Sequence, residues 1–238
     1  MEILFEDKNI VAINKPAGML VHDDGSGDKN TVVDWVLKKY PEIASVGEEV
    51  RIRTGEVVKK PGIVHRLDKE TSGVLIIAKN QETFRCLKEQ FQEHKIQKTY
   101  QAFVYGNIKE DQGKIDRPIG KSNKDFRKYS AQRGARGTLR EALTLFKVLK
   151  RSKEVSLVEV YPQTGRTHQI RVHFKAIHHP IVADRLYAPK GQKLLGFQRV
   201  ALHARAIGFR DINDREISIE APYPADFEQA LVELGTLC

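Results

Sequence analysis

The chain has 238 residues, 40% apolar and 30% charged, with a net charge of +9. That composition predicts a globular protein with a sizeable core, and no apolar run approaches the roughly 18 residues of a membrane span. Cys86 and Cys238 fit no disulfide or metal spacing, which disfavours a disulfide-stapled secreted scaffold and predicts a reducing, cytoplasmic setting. Met1–Asp7 is acidic and lacks a signal-peptide pattern.

Residues 1–22 predict two short strands, one alternating at Ile3 and Phe5 and one apolar at Ile10–Ile13. Asn14-Lys15-Pro16-Ala17-Gly18 follows as a turn, where Lys15 is either a ligand-facing cation or a solvated turn lysine. The Gly-rich stretch Asp23–Lys29 lacks the order of a phosphate-cradling loop. Asn30 or Thr31 caps a predicted helix that Pro41 ends, with Trp35 on its core side. Residues 42–60 are polar and predict a long loop.

Pro61–Lys79 is the centre of the chain. A Pro-Gly turn signal opens it and the apolar run Val74–Ala78 closes it as a buried strand. Between them lies the polar knot His65-Arg66-Leu67-Asp68. On charge pattern alone it is a structural ion pair or a reactive acid held on a loop.

Asn80 caps a second helix with Phe84, Leu87 and Phe91 at helical spacing. Gln97–Gly106 predicts a strand and its turn, in which Tyr100 is a core aromatic or a site residue. Residues 114–140 hold nine Lys or Arg against two Asp, so this segment carries +7 of the net +9. Its cations include Lys121, Arg127, Lys128, Arg133 and Arg136, with Phe126 and Tyr129 among them. Weak periodicity predicts a long loop. Cations interleaved with rings suit RNA, because cations follow the backbone while rings stack on bases.

Residues 141–149 and 155–161 predict two strands, and a helix follows the Thr164-Gly165 turn with Ile170, Phe174 and Ile177 buried. Arg171 then faces partly away from that stripe. His168, His173, His178 and His179 lack the HExxH pattern and a nearby acid, so no metal site is predicted. Two late strands and a helix opened by Pro224 complete the chain. No linker or repeat divides it, and one mixed α/β domain over 1–238 is the simplest account.

The central stretch resembles the HRLDxxTSG signature of the RluA-type RNA pseudouridine synthases. Glu6–Gly18, Lys98-Thr99-Tyr100, Thr164–His173 and Leu202-His203-Ala204 resemble further motifs of that family, in family order. The resemblance implies an α+β fold with a mixed, largely antiparallel central sheet flanked by helices. It implies conversion of uridine in RNA to pseudouridine, with no cofactor or metal. It assigns Asp68 as the catalytic carboxylate, either attacking the ribose or acting as a base on it. Arg171 would be the ionic partner of Asp68, and Tyr100 would stack on the flipped uracil. Arg66, next to Asp68, would replace the extruded base; His65, Lys15, Arg166 and the basic segment are the other expected RNA contacts.

Ala183 and Ala188 stand at usual glycine positions of the family, and alanine is strained there if the backbone needs positive φ. The first motif begins almost at Met1, so RNA selection is expected from the catalytic domain itself. A monomer is expected, and ribosomal and transfer RNA are both open as substrates. Two rivals remain at this stage. One is a catalytically silent RNA-binding protein of the same fold. The other is a carboxylate-dependent hydrolase, for which Glu70 is the strongest second acid.

Overall fold

The computed structural model describes the chain except residues 24–29, 52–56, 124, 126, 127, 133, 134, 192, 193 and 236–238, and the side chains of 49–51 and 57–59. The described residues fall into two units: 1–97 with 206–222, and 98–205 with 223–238.

In the first unit, β1 (Glu2–Glu6) pairs antiparallel with β2 (Ile10–Lys15). Helix α1 (Val32–Lys39) starts at a full capping box between Thr31 and Asp34, which satisfies its first amides. Trp35 is only half-buried and meets Tyr40 edge-on, so it borders the core rather than filling it. The expected loop over 42–60 holds more order than its polarity predicted. A 3-10 turn at Pro41–Ser45 precedes a hairpin of β3 (Glu49–Arg51) and β4 (Val57–Lys59).

Strand β5 (Ser72–Ala78) is buried at every position and pairs antiparallel with β2, Ile10 opposite Ala78 and Lys15 opposite Gly73. Its unbroken apolar run reflects burial on both faces. Helix α2 (Gln81–Gln92) begins where the Asn80 side chain accepts from Thr83 N–H, and it buries Phe84 and Leu87.

The second unit is built on four antiparallel strands. β6 (Gln97–Tyr105), β7 (Gln112–Asp116), β11 (Leu143–Arg151) and β12 (Val155–Pro162) pair in the order β6-β12-β11-β7. The basic segment is not the loop its sequence predicted. It forms a separate three-stranded sheet in which β8 (Ile119–Lys121) lies between β9 (Tyr129–Ser130) and β10 (Arg136–Arg140). The strands are two to five residues long, and β10 is exposed throughout, so no long alternation marks them in the sequence.

Helix α3 (Gln169–Ala176) buries Ile170 and Phe174 in a core that includes Phe103, Phe146, Val160 and Phe197. β13 (Leu202–Arg210) contributes its first residues to this unit and Ala206–Arg210 to the first, where they pair with β14 (Glu216–Glu220). Helix α4 (Ala225–Glu233), opened by Pro224, closes the second core with Phe227 and Leu231.

Candidate active site

The loop carrying Asp68 is pinned at both ends. At its start, Gly62 has φ +67°, and a Cβ there would collide with the Ala78 carbonyl. Only glycine lets the chain pass this close to β5. His65 Nε2 then accepts from Ile76 N–H at 3.0 Å, which places the proton on Nδ1, and its ring stacks on Phe91 at 4.8 Å. At the far end, Thr71 N–H donates to the Asp68 carbonyl, closing a turn, and the chain enters β5.

Lys15 is the second pin. It is 0% exposed, and its ammonium donates to the carbonyls of Pro16 (2.8 Å), Met19 (2.9 Å) and Lys69 (3.1 Å). Gly18 N–H donates to the same Lys69 carbonyl at 2.8 Å. The expected RNA contact at Lys15 is therefore corrected: a buried ammonium enclosed by main-chain oxygens cannot present itself to a phosphate. Its work is to tie the Pro16–Met19 turn to the residue after Asp68. Asp68 itself is half-buried, while its neighbours Arg66 and Glu70 are exposed.

The other two expected catalytic residues lie in the second unit. Tyr100 is half-buried against the core on β6, with its backbone opposite Val160 of β12. Two residues earlier, Lys98 donates to the Thr164 carbonyl at 3.3 Å, and burial brings its ammonium down to about 8 from an ordinary 10.5.

Arg171 projects from the first turn of α3, whose start is held by Gln169. That buried amide accepts from Thr164 Oγ1 (2.6 Å) and Arg166 N–H (3.0 Å), and donates to the Leu143 carbonyl and Thr144 Oγ1, both at 3.0 Å. The Thr144 hydroxyl lies 2.9 Å from Nδ1 of buried His173, whose Nε2 donates to the Arg117 carbonyl. Burial lowers the His173 pKa, which keeps the ring neutral at neutral pH. Among the described residues no cluster of His, Cys, Asp or Glu could hold a metal ion.

The guanidinium of Arg171 makes a bidentate pair with Asp184: Nε to Oδ2 at 2.8 Å and Nη2 to Oδ1 at 2.9 Å. Asp184 Oδ1 also accepts from the amides of Leu186 and Tyr187, each at 3.0 Å. The Tyr187 ring lies under the guanidinium at 5.0 Å. Its hydroxyl accepts from Tyr129 N–H at 3.0 Å and lies 2.9 Å from His168 Nδ1. Sequence reasoning missed both Asp184 and Tyr187. The available signal was that each stands next to a usual glycine position of the family, at Ala183 and Ala188, but a carboxylate 13 residues from Arg171 is not visibly its partner.

The glycine question in this segment divides. Ala183 does adopt φ +55°, whereas Ala188 is not among the described residues with positive φ. The strained alanine immediately precedes Asp184, and its amide donates to the Tyr105 hydroxyl at 3.2 Å.

Of the expected RNA contacts in this unit, Lys121 and Arg136 are exposed on β8 and β10. Lys128 is half-buried, 3.4 Å from Asp125, and Arg166 Nε donates to the Glu141 carbonyl. Arg127 and Arg133 lie outside the described residues.

A model of the RNA pseudouridylate synthase family matches residues 9–176. The chain belongs to that family. Its members are isomerases that act on uridine in RNA. A Synechocystis protein named as an uncharacterized RNA pseudouridine synthase is 38% identical over 98% of this chain and 69% of its own length. The ribosomal large subunit pseudouridine synthase D of Zymomonas mobilis is 35% identical over 96% and 71%. Among solved structures, human RNA pseudouridylate synthase domain containing 4 superposes with a TM-score of 0.75, at 26% identity, over 98% of this chain and 93% of that one. The motif that carries Asp68, the β6 strand that carries Tyr100 and the turn before Arg171 all fall inside the matched span. Among the described residues no helix is long and apolar enough to cross a membrane.

Proposed function

We propose that this chain converts a uridine of structured RNA to pseudouridine with Asp68 as the reacting carboxylate. In this reaction the bond from ribose C1′ to N1 breaks and a bond from C1′ to C5 forms. N1 gains a proton and C5 loses one, so no oxidant, water or group donor is consumed. The observation that carries the reading is the double pinning of the Asp68 loop, by His65 on β5 and by Lys15 on the Lys69 carbonyl. A carboxylate carried on a loop pinned in this way reaches its target with little reorganisation, which is where such catalysis gains.

Arg171 is the proposed counter-ion. Asp184 holds its guanidinium in place, and a cation beside the acid would keep that acid ionised under an apolar base. Tyr100 stacks on the uracil once it is flipped, and exposed Arg66 occupies the vacated position. Lys121 and Arg136 contribute phosphate contacts that offset the few kcal/mol of unstacking. The named activity of the Zymomonas relative favours large-subunit ribosomal RNA as the substrate to test first. Cysteines without disulfide or metal spacing support a reducing, cytoplasmic setting.

The test is purified Asp68→Asn on an unmodified ribosomal RNA transcript, with pseudouridines mapped by chemical labelling. Pseudouridine formation should vanish while RNA binding persists. Retained turnover would overturn the assignment. Absence of turnover by the parent chain on every cellular RNA would favour a silent binder, and free uracil among the products would favour a hydrolase.

A further inference from the structure

Ser122, Asn123, Asp125 and residues 128–132 line, with the second half of α3, an open cleft of about 430 Å³, within the size range of small-ligand sites. It is polar. Lys128 and Lys175 supply cations, Tyr129 a ring, and Asn123 and Gln132 side-chain amides. Asp125 also lines it, with its charge offset by Lys128 at 3.4 Å. A ring for stacking, amides for base edges and ammonium groups for phosphate make up the set of groups that holds a single unpaired nucleotide.

The cleft is also joined to Arg171. Lys175 stands one helical turn after Arg171, and both cations lie over the same Tyr187 ring, at 5.6 and 5.0 Å. Tyr129 N–H donates to the Tyr187 hydroxyl, and the Tyr129 ring meets His168 edge-on at 6.0 Å. His168 in turn lies 2.9 Å from that hydroxyl, at the αL position that opens α3. The two cleft residues best suited to grip a base and a phosphate therefore each touch the group under the Arg171 guanidinium.

We propose that this cleft binds a nucleotide neighbouring the target uridine in the RNA chain, and that its occupancy positions Arg171 through Tyr187. The inference rests on the isomerase reading above for the identity of the target, but not for the existence of the site. Tyr187 is a positioning residue in this scheme. Tyr129 and Lys175 are binding residues.

The probe is an unmodified transcript of bacterial large-subunit ribosomal RNA. Binding is measured on the full chain carrying Asp68→Asn, so that no turnover intervenes. Tyr129→Ala should weaken binding about tenfold, the scale of one lost base stack, and Tyr129→Phe should restore it. Lys175→Gln should reduce the slope of log Kd against log salt by about one, the signature of a single lost phosphate contact. Tyr187→Phe, in the chain with Asp68 intact, keeps the ring and removes the hydroxyl. It should leave KM within about twofold and lower kcat about tenfold, as for an interaction realised only in the transition state. Unchanged binding in Tyr129→Ala, equal weakness in Tyr129→Phe, or an unchanged salt slope in Lys175→Gln would each overturn the site. Full kcat in Tyr187→Phe would overturn the coupling. If the parent chain converts no uridine, the isomerase reading fails while the binding results still decide the cleft.

Discussion

The Asp68 loop and the Arg171 cradle solve the same problem, holding one side chain still, by different means. Around Asp68 the restraints end on the main chain: Ile76 N–H to His65, Gly18 N–H and the Lys15 ammonium to the Lys69 carbonyl. Around Arg171 they run between side chains of distant segments, with Asp184 and Tyr187 gripping the guanidinium and Gln169 and Thr144 anchoring the helix start. Main-chain restraints survive most substitutions in the loop. Side-chain restraints fail when a single partner is lost. The difference teaches that both residues depend on tertiary context, but the acid's loop is held through backbone groups that every residue carries, whereas the cation is held by particular side chains.

The sharpest way to break the comparison is Asp184→Ala. It leaves a guanidinium that is only 11% exposed without its bidentate partner. Breaking such a pair costs about 3–5 kcal/mol, to be read by denaturant unfolding, and turnover should fall with it. A loss under about 1 kcal/mol would show that other contacts hold Arg171, and the contrast would collapse.

Lys98 sharpens the same point, because burial rather than pairing governs it. The unfolded chain keeps this proton up to about 10.5, while the folded chain sheds it near 8. Between those values the unfolded state binds more protons, so raising the pH favours the folded state, by on the order of 3 kcal/mol over the window. Urea midpoints measured across it should climb with pH, and Lys98→Met should flatten the climb.

On the main-chain side, Lys15→Met should cost about 1–3 kcal/mol, since it strips a donor from buried carbonyls. The Asp68 loop retains its His65 and Gly18 contacts, so turnover should fall less than in Asp184→Ala. Equal losses would mean that the acid depends on Lys15 as fully as Arg171 depends on Asp184.

The smallest effect is expected at Ala183. Glycine relieves φ +55° but adds freedom to the unfolded chain, for a net gain of about 0.5 kcal/mol in thermal or urea unfolding. Destabilisation instead would show that the methyl group packs usefully beside Asp184.

Much of this was legible beforehand where the physics is local. Thr31 and Asn80 announce helix starts because a side-chain oxygen reaches an amide three residues on. Val74–Ala78 reads as a buried strand from its unbroken apolar run. The order of the basic segment was not legible. Its strands are only two to five residues long, and their pairing joins Lys121 to Arg136 across the intervening residues. Lys15 shows the limit in the other direction. As a lysine in a Pro-Gly turn it reads as solvated, and only the fold reveals three carbonyls converging on its ammonium.

By itself, then, the sequence determined the capped helices, the buried β5 strand, the motif around Asp68 and the family, because caps, turns and apolar periodicity act over a few residues. Tertiary structure alone decided that Asp184 and Tyr187 hold Arg171, that Lys15 is internal, and that Tyr129 and Lys175 share a cleft. Those outcomes rest on which groups lose water together when distant segments pack. Charge and spacing along a chain do not record that.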